Sequence, residues 1–238
     1  MKKAISILAV LLVATALFAG VTVKAGGTFA FTNTRNVKST DDESPFYDGL
    51  FLKMSGFGLN IEVLEDVSND IVAYSGVSMV FPKDAVFNNG SEEFSLSERI
   101  KRDIEDHNIT SGEFSLFHYS VSAGVAYKLD FNALKMAVGA GLSYSRSIVT
   151  VETVTGLVKS EAKIDYFNIG LNAFLDARYM FTDAIGIGVT AVPQLGLFNI
   201  SRIKAKSSST ATPLRDETVN GFKINFTIPV SVGVSYTF

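Results

Sequence analysis

The segment Phe222–Phe238, FKINFTIPVSVGVSYTF, alternates along its whole length. Phe222, Ile224, Phe226, Ile228, Val230, Val232, Val234, Tyr236 and Phe238 are apolar, while Lys223, Asn225, Thr227, Pro229, Ser231, Gly233, Ser235 and Thr237 are polar, small or proline. A period of two gives an extended strand with one greasy face and one wet face. At ~3.3 Å per residue this strand is about twice as long as an ordinary globular one.

The same parity recurs upstream. Val21, Val23, Ala25, Phe29 and Phe31 share a face, as do Phe57, Leu59, Ile61 and Val63 in a strand starting near Leu50. Ile71, Ala73, Val77, Met79 and Phe81 follow with weaker alternation, then Phe117 to Tyr127, Leu134 to Tyr144, Phe167 to Phe181 and Ile185 to Leu197. With the closing segment these make eight strands, an even number as a closed bacterial barrel requires. The 19 glycines, 19 phenylalanines and absent tryptophan and cysteine suit one β-rich domain.

The start of the chain reads differently. Lys2 and Lys3 precede an apolar run from Ala4 to Phe18 and the small residues Ala19 and Gly20, the order of a cleavable secretory signal peptide. The run is short for a membrane-spanning helix. The expected division is therefore 1–20 signal peptide and 21–238 barrel, with cleavage after Ala19 or Gly20 and Ala25 as a competitor. Removing the two lysines takes the formal charge from −3 to −5.

Connections alternate in length. Short links are expected at Glu65–Asp70, Asp130–Ala133 and Thr182–Ala184, and long polar loops at Asn33–Asp48, Pro82–Glu113, Ile148–Asp165 and Asn199–Gly221. Short periplasmic turns and long extracellular loops are the outer-membrane arrangement. Aromatic residues mark both ends of the apolar face: Tyr127, Tyr179, Phe181, Tyr236 and Phe238 toward the short turns, Phe81, Phe117, Tyr119, Tyr144 and Phe167 toward the long loops. A strand tilted by ~40° climbs roughly 25 Å from Phe117 to Tyr127, the height of a lipid-facing band. The wet face carries Gly58, Gly124, Gly139, Gly141, Gly186, Gly188 and Gly233 among Ser and Thr, small enough for the inside of eight strands, whereas the bulky face is not. The reading is an all-β, transmembrane, antiparallel up-and-down barrel with its apolar face turned to lipid; a soluble lipocalin-like barrel is the alternative.

Composition excludes much else. Without cysteine there is no disulfide or thiolate metal site. With two histidines and no calcium-loop pattern, no metal and no cofactor are expected. A net negative charge argues against a nucleic-acid partner.

Signal segment, strand count, loop asymmetry and the terminal VSVGVSYTF together resemble the small outer-membrane barrels of the OmpX kind and the membrane domain of OmpA. The resemblance runs from Val21 to the end. It implies residence in the bacterial outer membrane, delivery by periplasmic chaperones and the barrel-assembly machinery, and a monomer. In that family a terminal aromatic preceded by alternating apolar residues is the assembly signal, which Val232, Val234, Tyr236 and Phe238 match. The chain stops where OmpA-like proteins continue, so cell-wall anchoring is not expected.

Lys24, Glu62, Lys128, Lys135, Asp176 and Arg178 are expected to point inward near the short-turn end and to neutralise one another, with Lys24 beside Glu62 as the best-defined pair. The implied function is structural or surface-interacting, with a plugged lumen. The alternative is an OmpW-like channel for small or hydrophobic solutes, for which only Val72, Val80, Phe174, Met180, Val192 and Phe198 offer inward apolar surface. A lipid-modifying enzyme is third: His118 should face the lumen and His107 lies in a loop, neither beside a nucleophile motif, so no enzyme is expected. In the loops, Ser95 and Glu98 have capping-box spacing and Ile100 and Ile104 share a helix face. The basic stretch SRIKAKSSSTATPLRDE is a candidate contact for lipopolysaccharide or another surface ligand. Pro193 and Pro229 should each force a local bulge.

Overall fold

The computed structural model describes residues 20–35, 51–88, 93–106, 109–209 and 215–238. Within them the chain forms β1 (Val21–Arg35), β2 (Phe51–Asp66), β3 (Ile71–Asn88), β4 (Glu93–Ser95), α1 (Leu96–Glu105), β5 (Ser111–Phe131), β6 (Leu134–Thr155), β7 (Val158–Met180), β8 (Ile185–Ala191), β9 (Gln194–Ser207) and β10 (Arg215–Thr237). The expected signal segment lies outside the described residues except for Gly20. Gly20 already belongs to the ladder: its N–H donates to Phe238 O at 3.2 Å and its carbonyl accepts from Asp66 N at 3.2 Å.

All pairings are antiparallel, and β10 returns to β1 in the register Thr22↔Thr237 to Asn33↔Phe226. Closure removes the free edges that lipid would penalise. β8 and β9 together fill one place between β7 and β10, and β4 is a short addition to β3. The ring therefore has eight strand positions.

The two prolines meet. Val230↔Ala191 and Thr227↔Gln194 flank a gap in which Pro229 lies opposite Val192, and Ile228 opposite Pro193. The break between β8 and β9 falls at Pro193, whereas β10 runs unbroken through Pro229, which pairs with Ala30. The expected bulge at Pro229 is thus absent. The carbonyls at this rung remain in use: Val192 N donates to Pro229 O at 3.1 Å and Ala173 N to Pro193 O at 2.9 Å. Placing both missing donors side by side confines the damage to one point of the ladder.

The short turns stand where expected, including a two-residue link at Asn132–Ala133 in which Asn132 takes φ 55, a conformation asparagine tolerates. Two of the long loops do not exist as loops. β6 and β7 stay paired from Ile148↔Asp165 to Thr155↔Val158, leaving Gly156 (φ +60) and Leu157 as the turn. β9 and β10 stay paired to Ala205↔Arg215. The Asn33–Asp48 connection lies almost wholly outside the described residues.

These extensions read as polar because their faces exchange character. Toward the short turns β6 sends Val138 and Leu142 outward and Ser143 and Ser145 inward; beyond Arg146 it sends Thr150 and Glu152 outward and Val149 and Val151 inward. β7 does the same, with Leu171 and Ile169 outward below and Lys163 and Glu161 outward above, where Tyr166 and Ile164 turn in. Acyl chains outside favour hydrocarbon outside; water outside restores the ordinary order of a soluble protein. The upper interior is accordingly an apolar cluster of Leu52, Met54, Ala85, Phe87, Leu116, Val149 and Tyr166, covered by Leu96 and Ile100 of α1. The helix has the expected cap: Ser95 Oγ accepts from Glu98 N at 3.3 Å. Ile100 is buried and Ile104 is exposed.

Candidate functional site

The barrel interior at the short-turn half is built from alternate residues of strands whose outward partners face lipid. Lys24 of β1 stands in register with Glu62 of β2, and Asp176 of β7 with Thr190 of β8 on the opposite wall. Their side chains meet across the bore. Lys24 Nζ lies 3.2 Å from Asp176 Oδ1 and 3.6 Å from Glu62 Oε2. It also donates to Thr190 Oγ1. That hydroxyl is 2.6 Å from Glu62 Oε2 and 2.8 Å from Asp176 Oδ1, and gives its one proton to one of the two. Arg178 Nε approaches Asp176 Oδ2 at 2.7 Å. Asn60 Nδ2 donates to Glu62 Oε1 at 2.6 Å and to Ser231 Oγ at 3.0 Å.

All four ionic residues are sealed, at 1% exposure for Lys24, 3% for Glu62, 2% for Asp176 and 8% for Arg178. Two cations against two carboxylates leave the cluster neutral, the condition under which buried charge is tolerable. Glycine on the neighbouring strands makes the space: a Cβ on Gly188 would stand 2.6 Å from Arg178 Cγ, and one on Gly76 would stand 3.2 Å from Glu62 Cγ. The remaining cross-section at this level is filled by Leu64, Val72, Tyr74, Ala126, Ala137, Phe174 and Val192. The Tyr74 and Phe174 rings stack with centroids 4.0 Å apart, and the Tyr74 hydroxyl donates to Asn172.

Lys128 and Lys135 do not join this cluster. They stand near the turns, where Lys128 pairs with Asp66 at 3.1 Å and Lys135 with Asp130 at 3.1 Å. Water reaches the rim, so local partners suffice there. Thr190, Asn60 and Ser231 escaped the sequence reading, because a small polar residue on the wet face looks alike at every level. Phe198 was expected inward and points outward. Gly170↔Gly196 and Ile169↔Phe198 bracket a register shift, and the extra residue reverses the parity of β9 beyond it.

The aromatic residues lie on the outside. Toward the short turns, Tyr179 and Phe181 meet edge-on at 5.5 Å, and Tyr236 and Phe238 at 4.8 Å, with Tyr127 and Phe131 exposed beside them. At the other level Phe81–Phe117, Phe117–Tyr119 and Tyr119–Tyr144 form a chain of ring contacts at 5.6, 5.9 and 5.9 Å. Phe167 carries Arg146 over its ring at 4.6 Å. Val232 and Val234 continue the outward face of β10 down to Tyr236 and Phe238, and Phe238 N donates to Val21 O at 2.9 Å, so the terminal residue closes the ring.

His118 faces the interior at 1% exposure, with Nδ1 2.9 Å from Ser147 Oγ and no hydrogen-bond partner for Nε2. His107 lies outside the described residues. Among the described residues no cluster of His, Asp and Glu has the arrangement of a metal site.

No protein-family model and no curated protein matches this chain. Solved structures do. It is similar to a major outer membrane protein from Thermus thermophilus, with TM-score 0.55 and 14% identity over 89% of this chain and 99% of that one. It is similar also to the outer membrane protein OprG from Pseudomonas aeruginosa, with TM-score 0.55 and 10% identity over 92% of this chain and 96% of that one. At such identities the likeness is one of fold: the chain has the closed β-barrel fold of bacterial outer-membrane proteins.

Proposed function

We propose that the protein is a closed, structural barrel that presents its extended extracellular hairpins for surface interaction. The observation that carries this reading is the meeting of side chains from opposite walls, Lys24 with Asp176 and Thr190 with Glu62. The apolar cluster under α1 adds a second closure toward the outside. Eight strands enclose little more than the side chains themselves, so ions held this tightly leave no continuous path for water. The paired extensions of β6, β7, β9 and β10 put charged outward faces beyond the membrane, which suits contact with other surface molecules. The placement of His118 supports a non-enzymatic role, since its Ser147 neighbour is sealed from lipid and, among the described residues, no carboxylate orients the imidazole.

Planar-bilayer recording of the refolded protein tests the reading. A silent bilayer is expected; reproducible unitary conductance steps would replace the plug with a small-solute channel.

A further inference from the structure

The lipid-facing wall is not smooth. Where β6, β7, β9 and β10 cross the extracellular aromatic level, it carries a cleft of about 310 Å3. The register shift of β9 next to Phe198 turns the strand at this point. Tyr144, Phe167, Phe198 and Ile200 line the apolar part, and Arg146 and Arg202 stand at its head.

Charge at the head is unbalanced. Asp165 is shared by Arg146 at 3.0 Å and Lys163 at 3.8 Å; Asp216 is shared by Arg202 at 3.1 Å and Lys204 at 3.5 Å. Each carboxylate thus serves two cations, and the patch keeps a surplus of two positive charges. Farther from the membrane the sign reverses: Glu113, Glu152 and Glu161 share a rung with Lys206, and Lys159 bonds Glu152 at 2.5 Å. The surplus therefore sits at the boundary between water and hydrocarbon, on the side away from the short turns. Each arginine spends its Nε–Nη2 edge on a carboxylate, Arg146 on Asp165 and Arg202 on Asp216, and its remaining guanidinium N–H groups are left for a phosphate, above a floor matched to an acyl chain.

We propose that this cleft binds one outer-leaflet glycolipid bearing two phosphates, its phosphates on Arg146 and Arg202 and an acyl chain along Phe167, Phe198 and Ile200. Two surplus charges favour a doubly phosphorylated head over a zwitterionic phospholipid, whose own amine offsets its single phosphate. The proposal concerns the outer wall alone and stands whether or not the lumen conducts.

Native mass spectrometry of the refolded protein in detergent tests it. The probes are a synthetic bisphosphorylated, multiply acylated disaccharide lipid, phosphatidylglycerol and phosphatidylethanolamine. One glycolipid per barrel is expected to remain bound after both phospholipids have been stripped. Arg146→Gln with Arg202→Gln should lower glycolipid retention by at least about tenfold, as loss of charge-assisted contacts predicts. Thr218→Trp should lower it comparably by filling the cleft while keeping every cation. A heat-dependent gel shift reports whether each variant has folded, and Thr218→Trp decides the matter if the arginine variant does not fold. Undiminished retention in a folded variant would overturn the site, and equal retention of the phospholipids would overturn the choice of glycolipid.

Discussion

The two halves of the barrel interior are closed by opposite means. Toward the short turns the seal is ionic, Lys24, Glu62, Asp176 and Arg178 locked around Thr190. Toward the extracellular end it is hydrocarbon, Leu52, Phe87, Val149 and Tyr166 beneath α1. The same strands build both. What changes is the medium outside: acyl tails demand an apolar exterior and leave the interior to polar residues, whereas water beyond the aromatic level pulls charge outward and releases hydrocarbon to the inside. One continuous strand can therefore be a membrane strand and a soluble strand in succession, without any change in its period of two.

The largest effect should come from breaking the ionic seal. Lys24→Met leaves Glu62 and Asp176 as buried carboxylates with Arg178 alone to serve them. The expected loss is about 3–5 kcal/mol, the usual result of stranding a buried charge. Urea titration of the folded barrel in micelles measures it. Adding Glu62→Gln restores neutrality, since Arg178 and Asp176 remain paired at 2.7 Å, and should recover most of the loss. A double variant as unstable as the single one would mean that packing around Lys24, not charge balance, holds this level.

A second pair of variants tests the exchange of faces itself. Leu142 and Thr150 lie on the outward side of one strand, on either side of Arg146. Leu142→Arg puts a cation into hydrocarbon and should cost about 2–4 kcal/mol, while Thr150→Arg should be close to neutral. Equilibrium folding into lipid vesicles distinguishes them. Equal costs at the two positions would place both in the same medium and dissolve the comparison.

The ring was legible because parity survives within the membrane: strand directions, the outward aromatic residues and the Lys24–Glu62 neighbourhood all follow from a period of two and one short turn. The upper half was not, although its period is the same. Beyond Ile148 the apolar residues move from even to odd positions, and Thr150, Glu152 and Lys163 on the outside look like loop composition. Phe198 failed for a related reason, since one inserted residue in β9 reverses every face beyond it. Lys128 and Lys135 share the inward parity of Lys24, but height in the bore, which parity does not encode, gives them to Asp66 and Asp130 instead. Nor does sequence spacing reveal that Pro193 and Pro229 fall at adjacent positions of one ladder, because that depends on the register of β10 against β8 and β9.

The smallest effect concerns the attachment of the upper seal. Asp84 of β3 gathers the start of α1: its carboxylate accepts from Ala85 N at 2.8 Å, Ser97 N at 3.2 Å, Ser95 Oγ at 2.5 Å and Ser97 Oγ at 2.8 Å. Burial works to raise this carboxyl, and the hydrogen bonds from Ser95, Ser97 and the backbone outweigh it, so the group titrates below its ordinary value. A lowered folded-state value means the clamp is fully present above the unfolded-state value of about 4 and is lost as pH falls through the folded one. Between neutrality and about pH 4 the helix should hold unchanged; under stronger acid its amides should lose protection before those of the membrane ring. Asp84→Asn keeps one carbonyl acceptor and should weaken the helix by about 0.5–2 kcal/mol, in the range of a lost cap. It should also abolish the acid-dependent release. Hydrogen exchange of the Leu96–Glu105 amides against pH, corrected for intrinsic exchange, reads both effects. Release at the same pH in wild type and Asp84→Asn would assign the acid sensitivity to another group, and the ionic ring below should be indifferent to either outcome, since Leu96 and Ile100 anchor α1 in the upper cluster.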